Sequence, residues 1–382
     1  DAMGSPPLNG VALALKIQAS KKRNAKHTSH FGDDTPFHIA IRLRVSIGDM
    51  DSANTLARRM PHTTAFPNAL GTGLLVSTAR PVSAELRGEM KQCIDGYEQV
   101  LSRFRADSLV ARIGHAEHGG RFDFPDWAGP LFDLYDALHS ATSGAIDPCV
   151  GEDLIRLGYD PALSFTVEAD AGERLGALRG RAVWGRDVVR SGDAALVTQG
   201  PVHLDFGACG KGYLVDLLGE LLADTGEFVI DAGGDLLVHA EEPISVALED
   251  PDNSSRAVGV AEIRDAAFCA SAPSRRHWEV AVGERTHLAI HHLLNAIDGL
   301  PAHQMEATWV AVRADANADT NAAARHRTAV PADFPTALAD GLATALFVAD
   351  PNALNRVFAF DCAMLDADRH ASLSDGFPGR FF

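Results

Sequence analysis

The stretch TALADGLATALFVAD, residues 336–350, has only Asp340 and Thr344 as polar side chains between its end residues Thr336 and Asp350. They stand four apart in a run of good helix formers, so a helix puts both on one face. A helix apolar nearly all round is buried. A buried carboxylate must in turn be paired, ligated to a metal or neutralised. A second segment, LDFGACGKGYLVD at 204–216, sets Gly207, Gly210 and Gly212 around Lys211 where a strand would lead into a helix. Glycines let a backbone approach a ligand, and a helix N-terminus beside a lysine favours an anion such as phosphate. The P-loop order G-x-x-x-x-G-K-[ST] is not met, because Gly212 follows Lys211, and neither is G-x-G-x-x-G. A tight strand-to-helix turn without a ligand fits the spacing as well.

Three further segments carry polar groups that suit a cleft. In DAGGDLL, 231–237, Asp231 and Asp235 flank Gly233 and Gly234; such a turn lines a ligand cleft or makes a plain bulge or hairpin. In SGAIDPCVG, 143–151, Pro148 fixes Asp147 in an extended or turn conformation, a structural Asx-Pro turn unless a ligand uses it. In HHLLNAIDGLPA, 291–302, adjacent histidines in a strand face opposite sides. At most one of them points into a site.

These segments need scaffolding. LGTGLLVSTA is strand-like, and SAELRGEMKQCIDGYEQVLSRF has helical apolar spacing with Ser83 as a cap. DWAGPLFDLYDALHSATSG predicts a second amphipathic helix ending at Gly144, where a positive φ is free of penalty. Strand-like VHLDFGA, helix-like KGYLVDLLGELLADTG and strand-like FVIDAGG follow. Short strands then run through 244–313, and a polar loop at 314–334 precedes the 336 helix. Strands and helices interleave without a regular βαβ period, which gives an α+β fold. Residues 1–62, with a basic patch KKRNAK at 21–26 and one alternating stretch HIAIRLRVSI, read as a tag remnant and an irregular appendage. Residues 63–382 read as the folded domain.

Composition narrows the function classes. The 382 residues are 46% hydrophobic, enough for a real core, and 51 acidic residues against 34 basic give a formal charge of −17. That charge opposes binding to nucleic acid or an anionic membrane as the main activity. Five widely spaced cysteines, with no C-x-x-C, carry no zinc or thioredoxin-type signature. No apolar run of 18 residues is present, so no transmembrane helix is expected. No lipoprotein-type cysteine sits near the start, which favours a cytoplasmic protein. The alternative is export, had a native signal preceded the remnant DAMGSPPLNG.

Together the segments SRFRADSLVARI (102–113), SGAIDPCVG, LDFGACGKGYLVD, AGGDL, HHLLN…GLP and ALADGLATALF, in this order and spacing, resemble the ApbE family of FAD:protein FMN transferases. LGT at 70–72 resembles the family's opening motif, with Leu70 in the methionine place. The resemblance extends over about 66–380. It implies an α+β flavin transferase fold with a central flavin cleft that binds FAD and Mg²⁺. The FMN moiety passes through a phosphoester to a Thr or Ser of a target flavoprotein, and AMP is released. By the same resemblance Asp340, Thr344 and the Gly210 carbonyl are metal ligands, and His292 is the base. Lys211 and Asp205 flank flavin and pyrophosphate, and Asp216 orients Lys211. Gly207, Gly212, Asp147, Gly233 and Gly234 line the cleft, Phe104 stacks on a ring, and Ser271 and Asn295 add polar contacts.

The chain departs from the family pattern in two places. Ala270 and Ala272 replace the threonine and glycine of T-S-G. In H-x-x-D-P-x-T-G-x-P, Asn295 stands for the aspartate, Ala296 for the proline and Asp298 for the threonine. The same cleft with water as acceptor would split FAD into FMN and AMP, and a degenerate relative would bind FAD without turnover.

Overall fold

The computed structural model describes residues 56–281, 287–314 and 333–382. The patch at 21–26, the alternating stretch HIAIRLRVSI and most of the 314–334 loop lie outside the described residues. The main sheet consists of β1 (His62–Phe66), β2 (Leu74–Thr78), β3 (Phe228–Asp231), β4 (Asp235–His239), β5 (Ala266–Ser271), β6 (Met305–Arg313), β7 (Asp361–Asp366) and β8 (Ala371–Leu373). Strand order across the sheet is strand order along the chain, and every neighbouring pair is antiparallel. The sheet is therefore a meander with its other elements hung on the connections.

Those connections carry the rest of the fold. Between β2 and β3 come α1 (Ala84–Leu101), α2 (Gly129–Ala141) and α3 (Gly210–Leu221). Between β4 and β5 lie two strands of a smaller sheet, Ile244–Asp250 and Asn253–Ile263, which Gly379–Phe381 completes. Between β5 and β6 a hairpin pairs His277–Ala281 with His287–His291. Between β6 and β7 sits α4 (Pro335–Ala345).

Alternation along the strands divides two cores. In β5, Ala267 and Cys269 join the helices in one core, while Ala266 and Phe268 join the smaller sheet in the other. In β6 the same division separates Val310 and Val312 from Trp309 and Ala311. Both faces are covered, which is why these strands read as near-continuous apolar runs. Leu56 and Met60, on the appendage side of the expected boundary at 62, are buried in the second core. A third cluster packs the hairpin against the 151–175 segment through Trp278, Leu288, Ile290, Leu154, Leu157 and Leu175.

Several local expectations hold. The Ser83 hydroxyl accepts from the Leu86 amide at 3.1 Å and caps α1. Gly144, with φ +88°, follows α2 and donates its amide to the His139 carbonyl. VHLDFGA, expected as a strand, forms none. Its amides bond singly to the Ile113 and Pro148 carbonyls, and Val202, Leu204 and Phe206 are buried without a partner strand. Period-two burial alone therefore mimics a ladder.

Two contacts fix α4. The Asp216 carboxylate, expected to orient Lys211, instead accepts from the Thr336 and Ala337 amides at 3.0 and 2.8 Å, capping the start of α4. Burial pushes its pKa up to about 7 against the pull of those amides. Gly212 provides the second contact: a Cβ placed there would lie 2.2 Å from the Thr336 carbonyl oxygen, so α3 and α4 touch backbone to backbone. Gly212→Ala is expected to lower unfolding free energy by about 1–3 kcal/mol or more, measured by urea denaturation. An unchanged midpoint would refute this contact.

Candidate functional site

Every residue of α4 but Thr344 is buried, and Thr344 is half-buried one turn beyond Asp340 on the same face. The contact at Gly212 brings the start of α3 alongside. Lys211 Nζ lies 3.0 and 3.1 Å from the two Asp340 oxygens, and the Gly212 amide donates to Asp340 Oδ2 at 3.1 Å. The buried carboxylate is thus paired. The ammonium also lies 2.7 Å from Oδ2 of Asp235, the first residue of β4. Both carboxylate side chains are 2% exposed, and Lys211 is 32% exposed. Two buried carboxylates share one ammonium, which leaves a surplus negative charge.

Electrostatics reflect that surplus. Burial disfavours charge on Lys211, but Asp235 and Asp340 outweigh it and hold its pKa above the usual lysine range. Burial pushes the Asp340 pKa up, and repulsion from Asp235 adds to the rise more than Lys211 and the Gly212 amide offset it. From the sequence Asp235 reads only as a possible flank of the cleft. Its signal there was a carboxylate set inside the apolar run FVIDAGGDLLVH.

The histidine pair divides as strand geometry requires: His291 is buried and His292 half-buried. The Arg276 carbonyl accepts from the His292 amide at 3.3 Å and lies 3.2 Å from its Nδ1. A carbonyl only accepts, so Nδ1 carries the proton and the Nε2 lone pair is the basic site. Burial lowers the His292 pKa to about 4; the Arg276 carbonyl opposes the shift, and the charges of Lys211 and Arg276 add to it. The ring is neutral near pH 7.

Other residues expected at the site take varied places. Asp205 accepts the Gly207 amide at 2.6 Å and pairs with Arg103, whose Nη1 donates to the Tyr159 carbonyl at 2.7 Å. The Arg103 guanidinium lies 4.1 Å from the Phe104 ring centre and 4.8 Å from that of Tyr159, and Phe104 is 43% exposed. Gly233 and Gly234, with φ +76° and +113°, turn the β3–β4 hairpin and donate both amides to Asp231 Oδ1. Leu70 sits in a turn with φ +55°, its amide donated to Glu98 Oε1 at 2.7 Å. Ser271 ends β5 opposite Thr308, whose hydroxyl donates to the Ala343 carbonyl of α4, so this face of the sheet looks at α4.

Three positions are engaged by structural partners. Asp147 is buried, accepting the Cys149 and Trp184 amides at 2.8 and 3.2 Å, with Arg181 3.7 Å away. Asn295 Oδ1 accepts the Ile297 amide at 3.0 Å in an Asx turn. Gly210 is buried at the start of α3, and its carbonyl accepts from the Tyr97 hydroxyl at 2.7 Å. A Cβ on Gly210 would lie 3.1 Å from that hydroxyl, a tight contact. Arg103 and Tyr97 were not anticipated from the sequence.

Among the described residues no group of three or more His, Cys, Asp or Glu side chains is placed to hold a metal. The donors that do converge are oxygens, and the surplus negative charge of the Asp235–Lys211–Asp340 cluster suits a hard divalent cation held by one carboxylate.

A helix-backed antiparallel sheet of this kind has counterparts among solved structures, and the likeness is one of fold. The ApbE protein of Thermotoga maritima has a TM-score of 0.65 at 18% identity, covering 82% of this chain and 97% of that one. The flavin transferase ApbE of Vibrio cholerae has a TM-score of 0.63 at 18% identity, covering 82% and 98%. In sequence, the FAD:protein FMN transferase of Klebsiella pneumoniae (strain 342) is 25% identical over 270 residues, 67% of this chain and 76% of the relative. That of Escherichia coli (strain K12) is 23% identical over 229 residues, 57% and 64%. The ApbE family profile matches residues 70–326, more than half of the chain. The chain belongs to the ApbE family.

The low pKa of His292 is directly testable. The unfolded chain protonates this ring near pH 6.5 and the native protein only near 4, so the ring's contribution to stability is lost as pH falls through that window. NMR titration should place the His292 midpoint near 4. A midpoint near 6.5 would rule out its desolvation.

Proposed function

We propose that this chain is an FAD:protein FMN transferase, acting with Mg²⁺ on a Thr or Ser hydroxyl of a target flavoprotein and releasing AMP. The observation that carries the reading is the buried cluster in which Asp340 and Asp235 share the Lys211 ammonium. Such a cluster serves a polyphosphate and its cation, and membership of a family whose named relatives are FAD:protein FMN transferases supports the same reading.

The chain's own residues take these parts. His292 Nε2 accepts the proton of the acceptor hydroxyl, whose oxygen attacks the phosphorus of the FMN half of FAD. The bond from that phosphorus to the bridging oxygen breaks, and AMP departs with the oxygen. Lys211 offers its ammonium to the pyrophosphate, and Phe104 and Arg103 present an aromatic face and a guanidinium to a planar ring. Asp340 and Thr344 would hold Mg²⁺, which when bound neutralises charge on the non-bridging phosphate oxygens. The Gly210 carbonyl would join them with the lone-pair capacity that Tyr97 leaves.

Incubation with FAD, Mg²⁺ and an acceptor domain should add the mass of one FMN to the acceptor and release AMP in equal amount. AMP without acceptor labelling would assign FAD hydrolysis instead, and unchanged FAD would assign binding alone. His292→Asn should keep FAD affinity within about threefold and lower turnover by about 10²–10⁴-fold; loss of FAD binding would reassign His292 to flavin recognition. Asp340→Asn should abolish the Mg²⁺-dependent transfer while the fold persists, because Asp235 still pairs Lys211. Transfer retained at saturating Mg²⁺ would reject Asp340 as a ligand.

A further inference from the structure

The cluster poses a competition that the proposed function leaves open. Asp340 is the carboxylate read as the metal ligand, yet both its oxygens face the Lys211 ammonium, at 3.0 and 3.1 Å. An ammonium this close to a carboxylate repels an arriving divalent cation and occupies the oxygens it needs. Asp235 meets the same ammonium, nearer at 2.7 Å, and is equally buried at 2% exposure. It comes from the sheet, whereas Lys211 and Asp340 come from α3 and α4. Its position is held by the ladder to β5, where it pairs with Cys269, and by its carbonyl, which accepts the Ala232 amide at 3.0 Å.

We infer that Asp235 is a positioning residue that retains the Lys211 ammonium and so leaves Asp340 open to a divalent cation. With the cation absent, Lys211 is shared between both carboxylates. With it present, Asp340 turns to the cation and Lys211 keeps Asp235 as its partner, so the buried Asp235 carboxylate is not left unpaired. The side of Lys211 that faced Asp340 then serves the phosphate oxygens. Asp235 touches neither substrate nor cation in this scheme, and it acts through Lys211. The inference rests on Asp340 as the metal ligand.

The test reads cation affinity without FAD or turnover. Mn²⁺ binding is measured by electron paramagnetic resonance on the full chain, with thermal unfolding run beside it to confirm folded variants. Asp235→Asn should weaken Mn²⁺ binding by about 10–100-fold, because Lys211 then closes on Asp340 alone. Lys211→Met should tighten binding, and the double variant should recover affinity to the wild-type level or beyond. If Asp235→Asn leaves the affinity unchanged, or Lys211→Met fails to tighten it, the inference is overturned. If Asp235→Asn weakens binding and Lys211→Met does not rescue it, Asp235 is itself a ligand and the positioning role is overturned. If the wild-type chain binds no Mn²⁺, or binds it as tightly with Asp340→Asn, the metal-ligand reading of Asp340 falls, and the inference with it.

Discussion

The site depends on the approach of two helix backbones at a single position. Gly212 lets α3 lie against the first turn of α4, with no room for a methyl group between them. Lys211, its neighbour in sequence, thereby reaches Asp340, and the Gly212 amide itself binds the carboxylate. Asp216, one turn further along α3, caps the start of α4 and fixes the register of the approach. Three residues within six positions of one helix thus set where the charged side chain of another helix lies. The glycine that reads in the sequence as room for a ligand is room for a second helix.

Around this contact the fold separates support from chemistry. The meander sheet is apolar on both faces, and its register is held by interdigitating side chains in two cores. The polar groups of the site stand at strand ends and on the connections: Asp235 at the start of β4, Ser271 at the end of β5, His292 just beyond the hairpin. Such positions tolerate charge because one side of them is not closed by the sheet. The neutral state of His292 and the raised pKa of Asp340 both follow from desolvation at the boundary between core and cleft.

Much of this was legible in the sequence. The α+β class, α1 with its Ser83 cap, α2 ending before Gly144 and the buried helix around Asp340 all follow from periodicity and turn chemistry. The order of the short motifs identified the family. What was not legible concerns partners rather than elements. Asp216 carries the same signature whether it faces a lysine or a helix N-terminus, and only the packing of α4 decides between them. VHLDFGA has the alternation of a strand, but a ladder needs a neighbour that spacing cannot reveal. Asp147 and Asn295 sit in motifs that point to a cleft, and their oxygens are engaged by backbone amides within two or a few tens of residues. Tyr97 and Arg103 escaped notice because an aromatic or an arginine on an amphipathic helix or its end carries no local mark of what it touches.

The meander bears on how the chain reaches this state. Lys211 and Asp340 are 129 residues apart, and β4, β5 and β6 all lie between them. Bringing the pair together closes a loop that contains the middle of the sheet, and such closure becomes favourable only once the intervening contacts exist. The charged cluster is therefore a product of the completed tertiary structure rather than a seed of it. A chain whose sheet has formed but whose α4 has not yet docked would leave Lys211 and Asp235 without Asp340, so the cluster exists only once α4 is in place.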